Sequence, residues 1–230
     1  MLARARSPYY SGDMLTTESE HNALVNLFHQ GTRLTYKKGE FVIRPGESPS
    51  GIFYVVNGLV KSYDITKYGE ENLLIIRKPG EVLGLTSAIT GQNRNIIYAT
   101  LTPAELLQIS RSQFMEFIQN NPEAALPLVD MVVNMYRIHS ERIMTLEYRS
   151  VRERLISFLL STAQRFGISE DDNKVVLEVP LKHQDIASSI SATRETTSRE
   201  LATLERQGLI VREQSIITLC DIKKLRSFLG

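Results

Sequence analysis

The chain has 230 residues, 27 Lys and Arg against 26 Asp and Glu, a net charge of +1, and 42% hydrophobic residues. That length accommodates two domains with separate cores, and the near-average composition excludes a disordered or fibrous chain. So small a net charge neither marks nor excludes a nucleic-acid binder, because a local basic face attracts phosphate whatever the remaining charges add up to.

No run of about eighteen apolar residues is present to span a bilayer. The N-terminal MLARARSPYYSGD lacks the apolar core of a secretory signal, so a cytoplasmic protein is expected. Cys220 is the only cysteine. An intrachain disulfide, a four-thiolate cluster and a cysteine-based zinc finger are thereby excluded, and in its apolar IITLC run Cys220 reads as a core thiol.

Residues 1–20 are polar and read as an arm with Arg4 and Arg6 in solvent. From Thr32 to Ile109 the pattern changes to short β-rich segments: RLTYKKG, EFVIRPG, GIFYVVNG, LVKSYDI, ENLLIIRKPG, IIYATLTP and ELLQIS. Turn residues punctuate them at a spacing that predicts an antiparallel β-roll or jelly roll. Asn57-Gly58 and Tyr68-Gly69 are the expected hairpin turns.

Ser112 to Asn120 reads as a short helix, and a long helix follows from Pro122 to about Leu146. Leu128, Val132, Met135, His139, Arg142 and Leu146 step along it by four and three, the spacing of a heptad seam. The stripe either packs on the roll of its own chain or, as its length favours, joins two chains in a homodimer. Tyr148 to Ser150 then reads as a hinge, and Val151 to Phe166 as an amphipathic helix ended by Gly167.

Residues 181–210, LKHQDIASSISATRETTSRELATLERQGLI, carry the most chemistry. Ile186, Ala187 and Ile190 fit a short helix, and a break at Ser191 and Ala192 precedes a second helix capped by Thr193. Thr197, Leu201 and Leu204 form the inner face of that second helix. Arg194, Glu195, Ser198 and Arg199 are left together outside, as a solvated face with a Glu195–Arg199 pair or as a set of base readers. Arg can bond a guanine edge through two donors, Glu accepts from a cytosine amino group, and Ser does either. Lys182, His183 and Gln184 at the start of the first helix, with Thr193, stand where phosphate contacts would set the register. With the strand VVLEVP before them and the pair LIVRE and SIITLC after them, these helices predict a winged helix-turn-helix.

Three stretches, KKGEFVIRPGESPSGIFYVVNGLVKSYDI, KPGEVLGL and PLKHQDIASSISATRETTSRELATLERQGLI, agree in order and content with the CRP/FNR family of bacterial transcription regulators, which the chain resembles over almost its whole length. The resemblance implies an α+β architecture: a cyclic-nucleotide-binding-type β-roll over 21–121, a dimerisation helix over 122–147 and a winged helix-turn-helix over 148–230. It also implies a homodimer on double-stranded DNA with an inverted-repeat operator, and RNA polymerase as a partner. Arg194, Glu195 and Arg199 fall on the reading positions of the cyclic-AMP receptor type, and Glu195, Ser198 and Arg199 on those of the oxygen-responsive type, so TGTGA-like and TTGAT-like half-sites both stay open. One departure is Ser191, where the family's turn commonly has glycine, a change tolerable if its φ stays negative.

In the effector region, family members that bind cyclic AMP place a glutamate where this chain has Leu85, and an Arg-Ser pair where it has Arg94-Asn95. Leucine cannot accept a ribose hydroxyl, so an effector other than cyclic AMP is expected, with effector-independent binding as the alternative. Arg94 either holds an anion or lies in solvent. His139 and Ser140 face the pocket in family members, and His139 is either an effector contact or a seam residue. The segment RNIIYATLTP is similar to that of halorespiration regulators that bind chlorinated phenols.

No resident cofactor is implied. Haem would need His, Met or Cys ligands, which 32–109 lacks. A cupin-type metal enzyme would need clustered ligands, whereas His21, His29, His139 and His183 are dispersed, so no enzymatic activity is expected.

Overall fold

A computed structural model describes residues 18–47, 49–92 and 95–230, with side chains from Asn22 onward. Arg94 and the arm up to residue 17 lie outside the described residues. The chain divides into two compact units, one ending at Met135 and the other resuming at Tyr136. The division falls within a helix, thirteen residues before the expected hinge at Tyr148.

In the first unit two four-stranded antiparallel sheets form the roll. One has the order β1 (Thr32–Tyr36), β8 (Ala104–Ile109), β3 (Ile52–Asn57), β6 (Val82–Leu83). The other has the order β2 (Phe41–Ile43), β7 (Ile97–Thr100), β4 (Val60–Ile65), β5 (Glu71–Arg77). Helix α1 (Glu18–His29) precedes the roll, α2 (Leu85–Thr90) follows β6, and α3 (Arg111–Asn120) follows β8. The seven β-rich segments each yield a strand, and β6, α1 and α2 are additional to what the sequence predicts.

Strand β3 shows why its segment is apolar throughout. Alternate side chains point to opposite faces of a sheet. Phe53 and Val55 join Ile43, Val60, Leu83 and Leu106 in the core between the sheets. Ile52, with Tyr54 and Val56, meets Leu24, Phe28, Leu107, Phe114 and Leu128 on the other side, beneath the helices. Both faces of the strand are therefore covered, and a shift of one residue would exchange its two core sets.

Tyr68-Gly69 is a hairpin turn, closed between β4 and β5 by the Thr66 amide on the Glu70 carbonyl. Asn57-Gly58 is not: β3 pairs with β8 and β6, β4 with β7 and β5, so this dipeptide carries the chain from one sheet to the other. Gly58 has φ +81°, and a Cβ there would stand 2.3 Å from the Pro103 carbonyl oxygen. Crowding and backbone sign both require glycine.

A 3₁₀ turn (Pro122–Ala125) leads into α4 (Leu126–Tyr148). Two residues of the expected stripe, Leu128 and Met135, pack on the roll of their own chain, one of the two outcomes its spacing allowed. Leu128 is in the core of its own roll, Met131 packs against that core, and the Met135 sulfur accepts from the Arg77 guanidinium. Arg142 turns to the Ser188 carbonyl at 3.3 Å. Of the expected stripe Val132 stays in solvent, together with Leu126, Val129, Val133 (54% exposed), Tyr136 (73%), Ile143 (57%), Met144 and Tyr148. Val129, Val133, Tyr136 and Ile143 step by four, three and seven, a heptad register one residue beyond the expected one.

The second unit contains the end of α4, α5 (Val151–Phe166), β9 (Gly167–Ser169), β10 (Val175–Leu177), α6 (His183–Ser189), α7 (Arg194–Arg206), β11 (Ile210–Glu213), β12 (Ile216–Leu219) and α8 (Ile222–Ser227). Its antiparallel sheet has the order β11-β12-β10-β9. Ser150 caps α5 in a box with Glu153, which accepts from the Ser150 amide at 2.8 Å. Gly167 stands at the helix end, where a Cβ would lie 2.3 Å from the Ala163 carbonyl oxygen and 2.4 Å from Val175 Cγ1, so only glycine fits.

Candidate nucleic-acid interface

Helix α7 begins where its sequence says it should. The Thr193 hydroxyl accepts from the Thr196 amide at 3.1 Å, which satisfies one of the donors a helix start leaves open. Thr197, Leu201 and Leu204 are fully buried, as their spacing predicts, and fix which side faces out. Arg194, Glu195 and Arg199 are exposed near the helix N-terminus, and Ser198 is half-buried beside them. Glu195 and Arg199 form no ion pair among the described residues, and the Arg199 guanidinium donates to the Thr196 hydroxyl at 3.2 Å instead. Two cations and a carboxylate thus stand in water without pairing, on a face whose opposite side is core.

The turn between α6 and α7 is a Schellman closure. The Ala192 amide reaches the Ala187 carbonyl at 3.0 Å and the Ser191 amide the Ser188 carbonyl at 3.4 Å. This geometry puts Ser191 at φ +49°, so the negative φ that would make a serine tolerable there is not met. The same closure ends α7, with the Leu209 amide on the Leu204 carbonyl at 3.0 Å, but there Gly208 holds the left-handed position at φ +69°. The strained serine is held from outside. Arg154 Nη1 donates to the Ile190 carbonyl at 2.9 Å and the Ser191 carbonyl at 3.3 Å.

Left-handed backbone costs an L-residue about 1–2 kcal/mol, and glycine returns part of that as unfolded-chain entropy. Ser191→Gly is therefore expected to stabilise the domain by about 0.5–1 kcal/mol, read as a rise in the denaturation midpoint. A lower midpoint would show that the serine side chain contributes more than its strain costs.

Of the expected phosphate contacts, Lys182 and Thr193 are exposed and Gln184 is half-buried. His183 is placed differently. Its Nδ1 lies 2.8 Å from Ser198 Oγ and its Nε2 lies 3.0 Å from Arg212 Nη1, so both ring nitrogens are engaged within the protein. Arg212, on β11, also donates through Nε to Glu205 Oε2 at 3.1 Å, while Glu205 Oε1 accepts from the Arg212 amide at 3.3 Å. Burial first, then the charges of Arg212 and Arg194, hold the His183 pKa below its ordinary 6.5. The ring is thus neutral at pH 7 and adds no positive charge to the surface. The stability linked to its titration is complete above the unfolded value and is lost as the pH falls through the lower folded one.

Arg212 and Glu205 were absent from the expected site. They stand seven positions apart on a helix and the strand after it, and the turn from α7 into β11 brings them together.

The effector positions divide between the units. Leu85 is 7% exposed, the first residue of α2, and packs in the core with Leu24, Phe28 and Phe114. Asn95 is exposed; His139 and Ser140 are half-buried on α4. No helix among the described residues is long and apolar enough to cross a membrane.

Two family models match the chain in order: a cyclic nucleotide-binding domain over residues 33–121 and a Crp-like helix-turn-helix domain over 153–228. The chain belongs to the CRP/FNR family of transcription regulators. Similar relatives include the global nitrogen regulator of Nostoc sp., 27% identical over 90% of this chain and 95% of that protein. Another is the CRP-like cAMP-activated global transcriptional regulator of Mycobacterium tuberculosis, 27% identical over 90% and 92%. Among solved structures, FixK2 from Bradyrhizobium japonicum has a TM-score of 0.75 at 23% identity, over 87% of this chain and 98% of that one, a likeness of fold. As a CRP/FNR regulator the chain carries its DNA-binding helix-turn-helix in α6 and α7.

Proposed function

We propose that this CRP/FNR regulator binds an inverted-repeat operator as a homodimer, with α7 reading each half-site. The observation that carries the reading is the set of unpaired exposed groups, Arg194, Glu195 and Arg199, opposite a fully buried face of the same helix. Arg194 and Arg199 suit guanine edges, Glu195 suits a cytosine amino group, and Ser198 contacts a neighbouring base. Lys182, Gln184 and the capped start of α7 at Thr193 hold phosphates, the helix N-terminus favouring an anion. Two readers related by a two-fold axis would engage half-sites roughly 34 Å apart.

The switch is a small molecule other than cyclic AMP. Leu85 supports this, because the side chain at the ribose-binding position of cyclic-AMP-binding members is apolar and packed into the core. Asn95, His139 and Ser140 are the described positions left as candidate effector contacts. Effector binding in the roll would shift the population of reader orientations through α4. The Arg142–Ser188 bond and the 3.4 Å pair of Thr145 with Ser157 tie the end of α4 to the reader across the Tyr148–Ser150 break.

Selection from a random duplex library, with the purified protein alone, with cyclic AMP and with cell extract, tests both parts. An inverted repeat enriched only with extract is expected; enrichment by the protein alone would make binding effector-independent, and enrichment by cyclic AMP would overturn the effector assignment. On the selected operator, Arg199→Ala should cost about 1–3 kcal/mol at one guanine position per half-site. An even loss at every position would remove Arg199 from the readers.

A further inference from the structure

The groups behind Ser198 set which way its hydroxyl can bond. An arginine guanidinium only donates. Arg212, fixed by Glu205, presents Nη1 to His183 Nε2 at 3.0 Å, so Nε2 has to accept. A neutral imidazole has one donor and one acceptor nitrogen, which leaves the proton on Nδ1. Nδ1 lies 2.8 Å from Ser198 Oγ, and the hydroxyl therefore accepts from the ring. A doubly protonated ring would place an N–H against the guanidinium, and partial burial with the charges of Arg212 and Arg194 disfavours that form.

We propose that the chain Glu205–Arg212–His183 makes Ser198 a hydrogen-bond donor toward the groove, so that Ser198 selects a base edge offering an acceptor. The favoured groups are a purine N7, guanine O6 or thymine O4, and a cytosine amino group is disfavoured because it could reach only the one lone pair His183 leaves free. The inference rests on α7 being the base reader, as set out above. Accepting one hydrogen bond polarises the hydroxyl and strengthens the one it donates. His183 acts as a positioning residue here: it lies half-buried behind the reading face and acts through the polarity of its neighbour.

Two measurements test it on the full-length protein. Long-range proton–nitrogen correlation of the histidine rings, with His183 identified by its disappearance in His183→Asn, should show Nδ1 protonated and Nε2 bare. A ring protonated on Nε2 overturns the proposal without touching the reading role of α7. The second measurement is the base-by-base affinity matrix of the selected operator. In His183→Asn the side-chain amide can donate from the position of Nδ1, so the wild-type order of bases is expected to persist. In His183→Asp a carboxylate oxygen stands there, draws the Ser198 proton inward, and leaves only lone pairs for the groove. Preference at one position per half-site should then move toward an amino-bearing base by a factor on the order of ten, whatever uniform loss the added charge causes. An Asp variant with the wild-type order overturns the donor assignment alone. A Ser198→Ala matrix identical to that of the wild type removes Ser198 from the readers, and the proposal with it.

Discussion

Replacing Val133 by Asp is expected to leave each protomer folded, to convert the proposed homodimer to monomers at micromolar concentration and to weaken operator binding at least about 100-fold. Val133 is more than half exposed in the single chain, so the substitution touches no core and should change protomer stability by no more than about 0.5 kcal/mol. The exposed apolar residues on α4, Val129, Val133, Tyr136 and Ile143, are too many and too regularly spaced for chance surface hydrophobics. A second copy of α4 in the proposed homodimer would cover them. A two-fold interface then receives the aspartate twice, and each unpaired carboxylate taken from water costs several kcal/mol. Sedimentation gives the mass and a titration with operator gives the affinity. A variant that stays dimeric would place the interface elsewhere, and a monomer with undiminished operator affinity would show that one reader suffices.

How far the sequence shows the fold depends on whether one physical pattern has one structural solution. The strands of the roll were legible because turn residues bracket each apolar run, and β3 could be apolar on both faces without confusion, since a run of six is too short for a core helix. The reader was legible for the same reason: Thr193 can cap only one helix start, and the spacing of Thr197, Leu201 and Leu204 admits only one buried face. Helix α4 has two apolar stripes one residue apart, Leu128 with Met135 and Val129 with Val133 and Tyr136, and periodicity cannot say which one its own roll covers. Asn57-Gly58 fits a hairpin turn equally well as a step between sheets; what decides is the pairing of β3 with β8 and the close approach of Gly58 to Pro103 and Ala104, which are distant in sequence. Ser191 gives no sign in sequence of its positive φ, because the Schellman closure and the two Arg154 bonds that hold it come from the folded domain. His183 looked like a phosphate contact by position alone. Its partners, Ser198 and Arg212, arrive from another helix and a strand, at separations no local pattern encodes.

Leu204→Ala is expected to destabilise the second unit by about 2–5 kcal/mol and to weaken operator binding. Leu204 has no exposed surface and lies on the face of α7 opposite the readers. Its carbonyl also closes the turn into β11 through the Leu209 amide, so the packing lost at one side chain lies beneath the bond that sets the wing. A loss of that size is a large share of the about 5–15 kcal/mol that holds an ordinary domain folded. Arg199→Ala, one turn earlier on the outer face, should shift stability by no more than about 0.5 kcal/mol while changing base preference. Hydrogen exchange separates the two effects. Leu204→Ala should lose amide protection across 151–228 and keep it across 32–109, whereas Arg199→Ala should keep both. Undiminished protection in Leu204→Ala together with weakened binding would mean that Leu204 acts at the DNA surface, and the division of α7 into a packing face and a reading face would have to be redrawn.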